Sequence, residues 1–572
     1  MSGVASIADI LTGNLDVWTS AIERRSSAGR GRSKKFSLYG IEKLRSLILD
    51  LAVRGVLVPQ EADDEPASAL LKTRHRTDQR GPTSKKVVPQ VTSTNGNVWP
   101  FAIPDSWAWA RLGLVTNYGD TEKADPGDVA PEIWVLELED IEKGTSRLIE
   151  RVRHAERPYQ SQKNRFDTRD VIYGKLRPYL DKVIIADEPG VCTTEMVPIR
   201  AFPGLTPEYL RLFLKSPFFI DLATNSTHGM NLPRLGTDKA RAAPISLPPL
   251  AEQRRIFEKV DELMTLCDAL EAESYRAIEA HELLVSNLLA TLTRSRNAEE
   301  LTKNWARIEA HFDTLFTTEA SIDQLKQTIL QFAVTGKLAR QDRNEDCSNQ
   351  RRLRPDAAAE TYDTKAYATR AKKFSLPVCW TIEPLSRVSS HIVDCPHTTP
   401  KWTTEGYLCA KSEQIMPGYL DLRKPNYVSE ETFIERIERL KPRPGDILFK
   451  REGGILGVAC RIPEGTVLCL GQRLMLIRVN DSILPSFLEL VLNAPWTTDY
   501  AREMTTGGAA PRVNMTVVRA FPIPLPPKPE QQRILDKFSE LSSLCELLKK
   551  QLSTALAAEV KIANAITSKL MA

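Results

Sequence analysis

The chain has 572 residues, an ordinary apolar fraction of 42% and a formal net charge of +4, so it is too long for one core and too weakly basic for bulk charge to name a partner. No stretch approaches the ~18 uninterrupted apolar residues of a membrane span, and the opening MSGVASIADILTGNLDVW lacks the basic and apolar regions of a secretory leader. Nine cysteines without a CxxC pair suit reduced thiols better than a disulfide framework, which points to a soluble, cytoplasmic protein.

In chain order, residues 1–97 form an N-terminal helical region and linker. The basic stretch Arg24–Lys35 (RRSSAGRGRSKK) suits a solvated loop or a phosphate contact. Leu44, Ile48 and Leu51 share one helical face, and Gly55 follows as the left-handed residue that ends the helix. Residues 60–97 are polar and Pro-containing, a poorly packed linker. From 98 to 249, short apolar runs alternate with Gly, Asp and Pro turns. Ile133-Trp-Val-Leu, Val171-Ile-Tyr and Lys182-Val-Ile-Ile read as strands, Pro207–Leu214 and Phe218–Ala223 as helices.

After Pro249 no proline appears until Pro355. Ile256, Val260, Leu263, Cys267, Leu270, Ala277, Leu284 and Leu288 follow a heptad spacing that predicts a long helix with a facing partner. Ser274 and His281 interrupt this seam, and His281 reads as a packed histidine. The region 250–345 closes with a second short helix, carrying Leu325, Ile329 and Phe332 and ending at Gly336. A polar linker, 346–373, leads to a second body, 374–527, with strands at Val467-Leu-Cys-Leu and Leu474-Met-Leu-Ile and a helix at Pro485–Leu492. The final segment, 528–572, repeats the seam with Ile534, Phe538, Leu541, Cys545, Leu548, Leu552, Ala555, Ile562 and Ile566; Glu559 interrupts it.

The two halves repeat each other. Segments 244–270 and 522–548 align without gaps at 15 of 27 identical positions, including Leu-Pro-Pro-x-x-Glu-Gln, and Ile41–Gln60 matches Ile322–Gln341 at 9 of 20. Phe101, Pro104 and Trp107 recur as Phe374, Pro377 and Trp380, and Asp170-Val-Ile-Tyr as Asp446-Ile-Leu-Phe. The expected fold is therefore α+β: two similar mixed α/β bodies separated by long antiparallel coiled-coil helices, an internal pseudo-twofold duplication. At ~1.5 Å per residue, helices of about 40 residues would reach roughly 60 Å. The bodies diverge more than the helices and are nearly neutral, with 19 Lys/Arg against 21 Asp/Glu in 98–249 and 18 against 16 in 374–527 plus Lys373.

No catalytic constellation emerges. Asn493-Ala-Pro-Trp496 lacks the second proline of a methyltransferase loop. Gly174-Lys175 and Gly336-Lys337 are each followed by leucine, so neither is a phosphate loop. Asp356, Asp363 and Lys365 lie in a polar linker, and Cys395 with His397 falls short of a zinc site. The candidate reading groups are Lys175, Arg177 and Tyr179 after a strand, matched by Lys450 and Arg451 before two glycines. Asn231 and Arg234 in GMNLPR, and Arg512 and Asn514 in APRVN, carry side chains able to bridge purine edges. Each is equally suited to stabilising its own loop.

The duplicated LPPxxEQ, the segments LAVRGVLVPQ and FAVTGKLARQ, and the body motifs VLELEDIEKGTSRL, YGKLRPYLDKV, GMNLPRLGT and DCPHTTPKW resemble the specificity subunits of type I restriction–modification systems. The resemblance implies two target-recognition domains, 98–249 and 374–527, reading the halves of a bipartite double-stranded DNA target, with His397 and Lys401 of DCPHTTPKW joining the reading groups. It implies helices that set the gap and bind two methyltransferase subunits, restriction/translocase subunits completing the complex, and S-adenosylmethionine, ATP and Mg held by those partners, not by this chain. The long N-terminal region and the 294–345 insert depart from shorter relatives. A coiled-coil scaffold with two protein-binding heads is the alternative.

Overall fold

The computed structural model describes residues 13–24, 36–69, 71, 99–227, 232–342, 362–372, 376–396, 398–453, 456–506 and 511–571. The chain divides into two compact units, residues 1–277 with 555–572, and residues 278–554.

In the first unit, helix α1 (Tyr39–Arg54) ends at Gly55, whose φ of 75° is the left-handed conformation expected of it. Strands β1 (Ala108–Arg111) and β8 (Pro244–Leu247) pair antiparallel and tie the start of the body to its end. Between them, β2 (Trp134–Leu136) runs parallel to β6 (Gly190–Cys192), which pairs on its other side with antiparallel β3 (Lys163–Phe166). Strand β4 (Val171–Gly174) is sandwiched between β5 (Val183–Ile185) and β7 (Met196–Ile199). All four β4 residues are buried, which is why the sequence there is an unbroken apolar run and not an alternation. Helices α2 (Pro207–Lys215) and α3 (Pro217–Asn225) each start with proline behind a hydroxyl cap, Thr206 and Ser216 accepting from the amides of Tyr209 and Phe219. Tyr209, Phe213 and Phe219 are fully buried in this unit's core. The first long helix, α4 (Leu250–Thr293), follows.

The second unit contains α5 (Ala298–Glu309) and α6 (Glu319–Val334), and its body shows the corresponding pairings. Strands β9 (Thr381–Pro384) and β16 (Pro522–Leu525) pair antiparallel. Strand β11 (Tyr407–Ala410) runs parallel to β14 (Leu468–Leu470). Strand β12 (Ile447–Lys450) lies between β13 (Val458–Arg461) and β15 (Leu474–Val479), and β10 (Ser389–Asp394) covers the far edge of β15. Helices α7 (Pro485–Asn493) and α8 (Pro495–Glu503) precede β16, and the second long helix, α9 (Lys528–Met571), ends the chain.

The repeated sequence motifs converge, in each unit, on one joint between body and long helix. Gln253 Oε1 accepts from the Thr206 amide at 2.8 Å while its Nε2 donates to the carbonyls of Gly204 and Pro248. Gln531 makes the same three bonds to Leu484, Ser482 and Pro526. Both glutamines are fully buried, so each satisfies loop backbone that water cannot reach. Trp107 Nε1 donates to Glu252 at 2.9 Å, and Gln60 donates to the other carboxylate oxygen at 2.6 Å. Burial pushes the Glu252 carboxyl above its usual range. A Cβ on Gly55 would lie 2.6 Å from Pro104, and one on Gly336 2.7 Å from Pro377 Cδ, so the repeated proline packs directly on the repeated glycine. The fourth repeat is a turn lock. Asp170 accepts from the Asp167 amide at 2.8 Å and Arg200 Nε at 3.1 Å, as Asp446 does from the Arg443 amide and Arg478 Nε, both at 2.8 Å.

The long helices depart from the heptad expectation. In α4, Ile256, Val260, Leu263 and Cys267 are buried as expected, but the face then passes through Ile278, Val285, Leu289 and Leu292, leaving Leu284 50% exposed. In α9 it passes through Ile534, Cys545, Leu556, Ala563 and Leu570, leaving Ala555 and Ile562 exposed. From Ile256 to Leu292, as from Ile534 to Leu570, 36 residues span ten steps of the face, or 3.6 residues per step. That is the period of a straight α-helix, whereas a heptad forces a left-handed supercoil. Within the second unit, Val285, Leu289 and Leu292 of α4 share a core with Ile322, Leu325 and Ile329 of α6 and Cys545 of α9.

Two other expectations are revised. Part of the polar linker is a helix, Thr364–Ala371, because Arg370 lies over the Trp496 ring at 3.9 Å and is 8% exposed. Among the described residues seven cysteines are buried free thiols, but Cys379, in a turn, is disulfide-bonded. Among the described residues no helix is long and apolar enough to cross a membrane.

Candidate nucleic-acid interface

In each unit the buried middle strand runs out into a loop, and a second loop from near the end of the body pairs with it. After β4, the Leu235 amide donates to the Lys175 carbonyl at 3.0 Å and the Arg177 amide to the Pro233 carbonyl at 2.8 Å, with Leu176 and Arg234 opposed as an antiparallel bridge. After β12, the Val513 amide donates to the Arg451 carbonyl at 3.1 Å and the Gly453 amide to the Pro511 carbonyl at 3.0 Å, with Glu452 opposed to Arg512. The structure thus brings Lys175, Arg177, Tyr179 and Arg234 together on one ribbon, and Lys450, Arg451, Arg512 and Asn514 on its counterpart.

The bonding register aligns Lys175 with Arg451, Arg177 with Gly453 and Arg234 with Arg512. Arg177 holds φ at 52°, a conformation costing a non-glycine residue about 1 kcal/mol or more, where the second unit uses glycine. Arg177 is exposed and Tyr179 is 51% exposed. Arg234 is held by Glu195 through two hydrogen bonds of 2.8 and 3.0 Å, which draw the Glu195 carboxyl below its usual range.

Arg451 does not serve as an exposed reading group. Its side chain is 7% exposed and is spent on Asp394, at 3.1 and 2.6 Å, and on the Val513 carbonyl at 3.2 Å. It is a strut that fixes the second loop. Lys450 lies within the strand, half-buried, and burial pulls its amine below the usual lysine range. Arg512 and Asn514 are exposed, and Asn514 stands at the start of the helix Met515–Arg519 without capping it through its side chain. Lys401 is exposed beside Trp402, over which Lys411 stacks at 4.3 Å. Asn231 and His397 lie outside the described residues.

Residues 152–280 and 404–557 match the family model of the type I restriction modification DNA specificity domain, one match for each body with part of its long helix. The chain is 32% identical over an alignment of 607 positions, gaps included, to the specificity subunit of type I restriction enzyme EcoEI of Escherichia coli, covering 98% of this chain and 99% of that one. It is also 32% identical over 597 such positions to the EcoAI specificity subunit of the same organism, covering 98% and 99%. The chain belongs to the type I restriction–modification specificity subunits. A solved structure on complex assembly and conformational transition of the type I R-M system shares the fold, with a TM-score of 0.50 and 21% identity over 82% of this chain and 99% of that one.

Specificity subunits are non-catalytic, and the polar residues weighed for chemistry in the sequence have structural tasks here. Asn493 bonds both the amide and the carbonyl of Ala459, at 3.0 and 2.8 Å, tying α7 to β13. Cys395 Sγ accepts from the Leu474 amide at 3.4 Å. His281 Nε2 lies 3.2 Å from the Thr314 carbonyl oxygen. Among the described residues no cluster of His, Cys, Asp or Glu could hold a metal ion. Two residues of the specificity subunit that sequence reasoning missed are Glu195 and Arg473. Each immediately precedes the strand paired with the middle one, a position that strand pairing reveals and no motif marks.

Proposed function

We propose that this specificity subunit reads a bipartite double-stranded DNA target, one half through each ribbon, with the two recognition domains spanning 98–249 and 374–527. One observation carries this reading: the same paired-loop platform stands at the end of the middle strand in both bodies, yet bears different side chains. A common frame with unlike reading groups suits two unlike half-sites, since backbone pairing positions and side chains specify. The long helices, pairing antiparallel, would fix the unread gap and dock two methyltransferase subunits. A tandem duplication of body plus helix accounts for the repeats. S-adenosylmethionine, ATP and Mg would belong to those methyltransferase subunits and to the restriction subunits completing the complex, with none held by this chain.

The test is genome-wide adenine methylation after co-expressing the chain with its methyltransferase partner. A single two-part motif with a fixed unspecified gap is expected. An assembled complex that leaves no such motif with S-adenosylmethionine present favours the protein-binding scaffold. Inserting seven residues at equivalent points of both long helices, after Ser274 and Leu552, adds about 10 Å to each. The gap should then lengthen by a few base pairs at ~3.4 Å each, with both half-sites unchanged. Altered half-sites would overturn the spacer role.

A further inference from the structure

We propose that Arg473 is a base-reading residue of the second unit, which with Arg512 presents guanidinium groups to a guanine edge; this rests on the DNA-reading function above. The strand register places it. Met196 opposes Gly174 in the first unit and Leu474 opposes Lys450 in the second, so the residues one step earlier, Glu195 and Arg473, occupy equivalent places beside Lys175 and Arg451. In the first unit that place holds a carboxylate clamping Arg234. In the second it holds a cation, and the residue equivalent to Arg234 is Arg512. Both Arg473 and Arg512 are exposed, and neither makes an ion pair among the described residues.

The backbone supports the same reading. Arg473 sits at φ 67°, a left-handed conformation that disfavours an arginine and would suit a glycine. Its neighbours are fixed: the Leu474 amide and the Arg473 amide both point at Cys395 Sγ, and Gln472 Nε2 donates to Thr399 Oγ1 at 2.9 Å. Among the described residues no hydrogen bond or ion pair uses the Arg473 side chain, yet the bonds of its neighbours place its Cα beside the ribbon. A guanidinium fork matches the O6 and N7 acceptors of guanine in the major groove.

The experiment is methylation profiling of the co-expressed complex with R473G and R473E. R473G relieves the backbone, so the chain should fold and melt at or above the wild-type temperature. The half-site read by the second unit should lose its demand for guanine at one position, by about five- to 150-fold, with the other half-site untouched. R473E should capture Arg512 as Glu195 captures Arg234 and alter the same position. A motif unchanged by R473G overturns the inference. So does a uniform weakening across all sequences with a shallower salt dependence, which marks a phosphate contact. A wild-type complex that methylates no two-part motif overturns the function reading and this inference with it.

Discussion

At the joint, the two units repeat the bonds of one buried glutamine; at the ribbon, the side chains part company. Gln253 and Gln531 repeat three hydrogen bonds each, whereas Arg234 is clamped by Glu195 and Arg512 has Arg473 in that place. The ribbon of the second unit needs an interior strut, Arg451 on Asp394, at the position where the first unit has a lysine. The lesson concerns where difference is tolerated. Buried backbone leaves few ways to satisfy an orphaned amide, so the joint is constrained. An exposed ribbon held by main-chain bonds can exchange its side chains, and their charge, without losing its shape.

The largest expected effect tests whether the units are energetically separate. Each has its own buried ion pair at a different place: Asp394 with Arg451 in the second, Asp181 with Lys215 at 2.6 Å in the first. Removing one partner strands a buried charge, at about 3–5 kcal/mol. Asp394→Ala should loosen the second unit and Asp181→Ala the first, read by hydrogen exchange resolved along the chain. Equal loosening of both units by either variant would defeat the comparison. The joint is the opposite case. Gln253→Ala and Gln531→Ala each orphan a buried amide, costing roughly 1–3 kcal/mol, and the two losses in denaturant melts should agree. A large inequality would mean that the repeated bonds do not carry repeated energy.

A smaller effect isolates strain. Arg177→Gly replaces a left-handed arginine by the residue type found at the equivalent place, Gly453. The native backbone strain relieved is of order 1 kcal/mol, partly offset by the extra freedom of glycine in the unfolded chain. The melting temperature should stay level or rise while discrimination in the half-site read by the first unit falls. A lower melting temperature with intact recognition would make Arg177 a structural residue.

Much of this was legible in the sequence. Repeats exposed both bodies and both long helices because the joint residues are buried and shared. Strands such as Val171–Gly174 were readable as unbroken apolar runs. The heptad seam was misread beyond Leu270 because Ala277 and Leu284 satisfy a 3.5 period as well as Ile278 and Val285 satisfy 3.6, and only burial separates them. The ribbon was half legible. Its glycines, prolines and cations stand out, but Arg451 looks like a surface arginine until Asp394, 57 residues away in sequence, is seen beside it. Glu195 and Arg473 carry no local signature at all, since their equivalence exists only through strand register.

The smallest effect is a pH response confined to one unit. Two hydrogen bonds from Arg234 hold the Glu195 carboxyl below the usual value of ~4.3. A carboxyl lowered by folding contributes stability that is fully present above its unfolded value and fades as pH falls through the folded one. The clamp on Arg234 should therefore hold at neutral pH and open on acidification below the usual carboxylate range. In the second unit the equivalent residue, Arg473, carries no carboxyl. Hydrogen exchange of the Arg177 and Leu235 amides, measured against that of the Gly453 and Val513 amides, should accelerate on the first ribbon alone in that window. Other carboxyls titrate there too, so the discriminating comparison is Glu195→Gln, which keeps the shape and removes the charge. That variant should show fast exchange at neutral pH and little further change on acidification. A wild-type-like acid response in Glu195→Gln would assign the loosening elsewhere and leave the clamp without energetic weight.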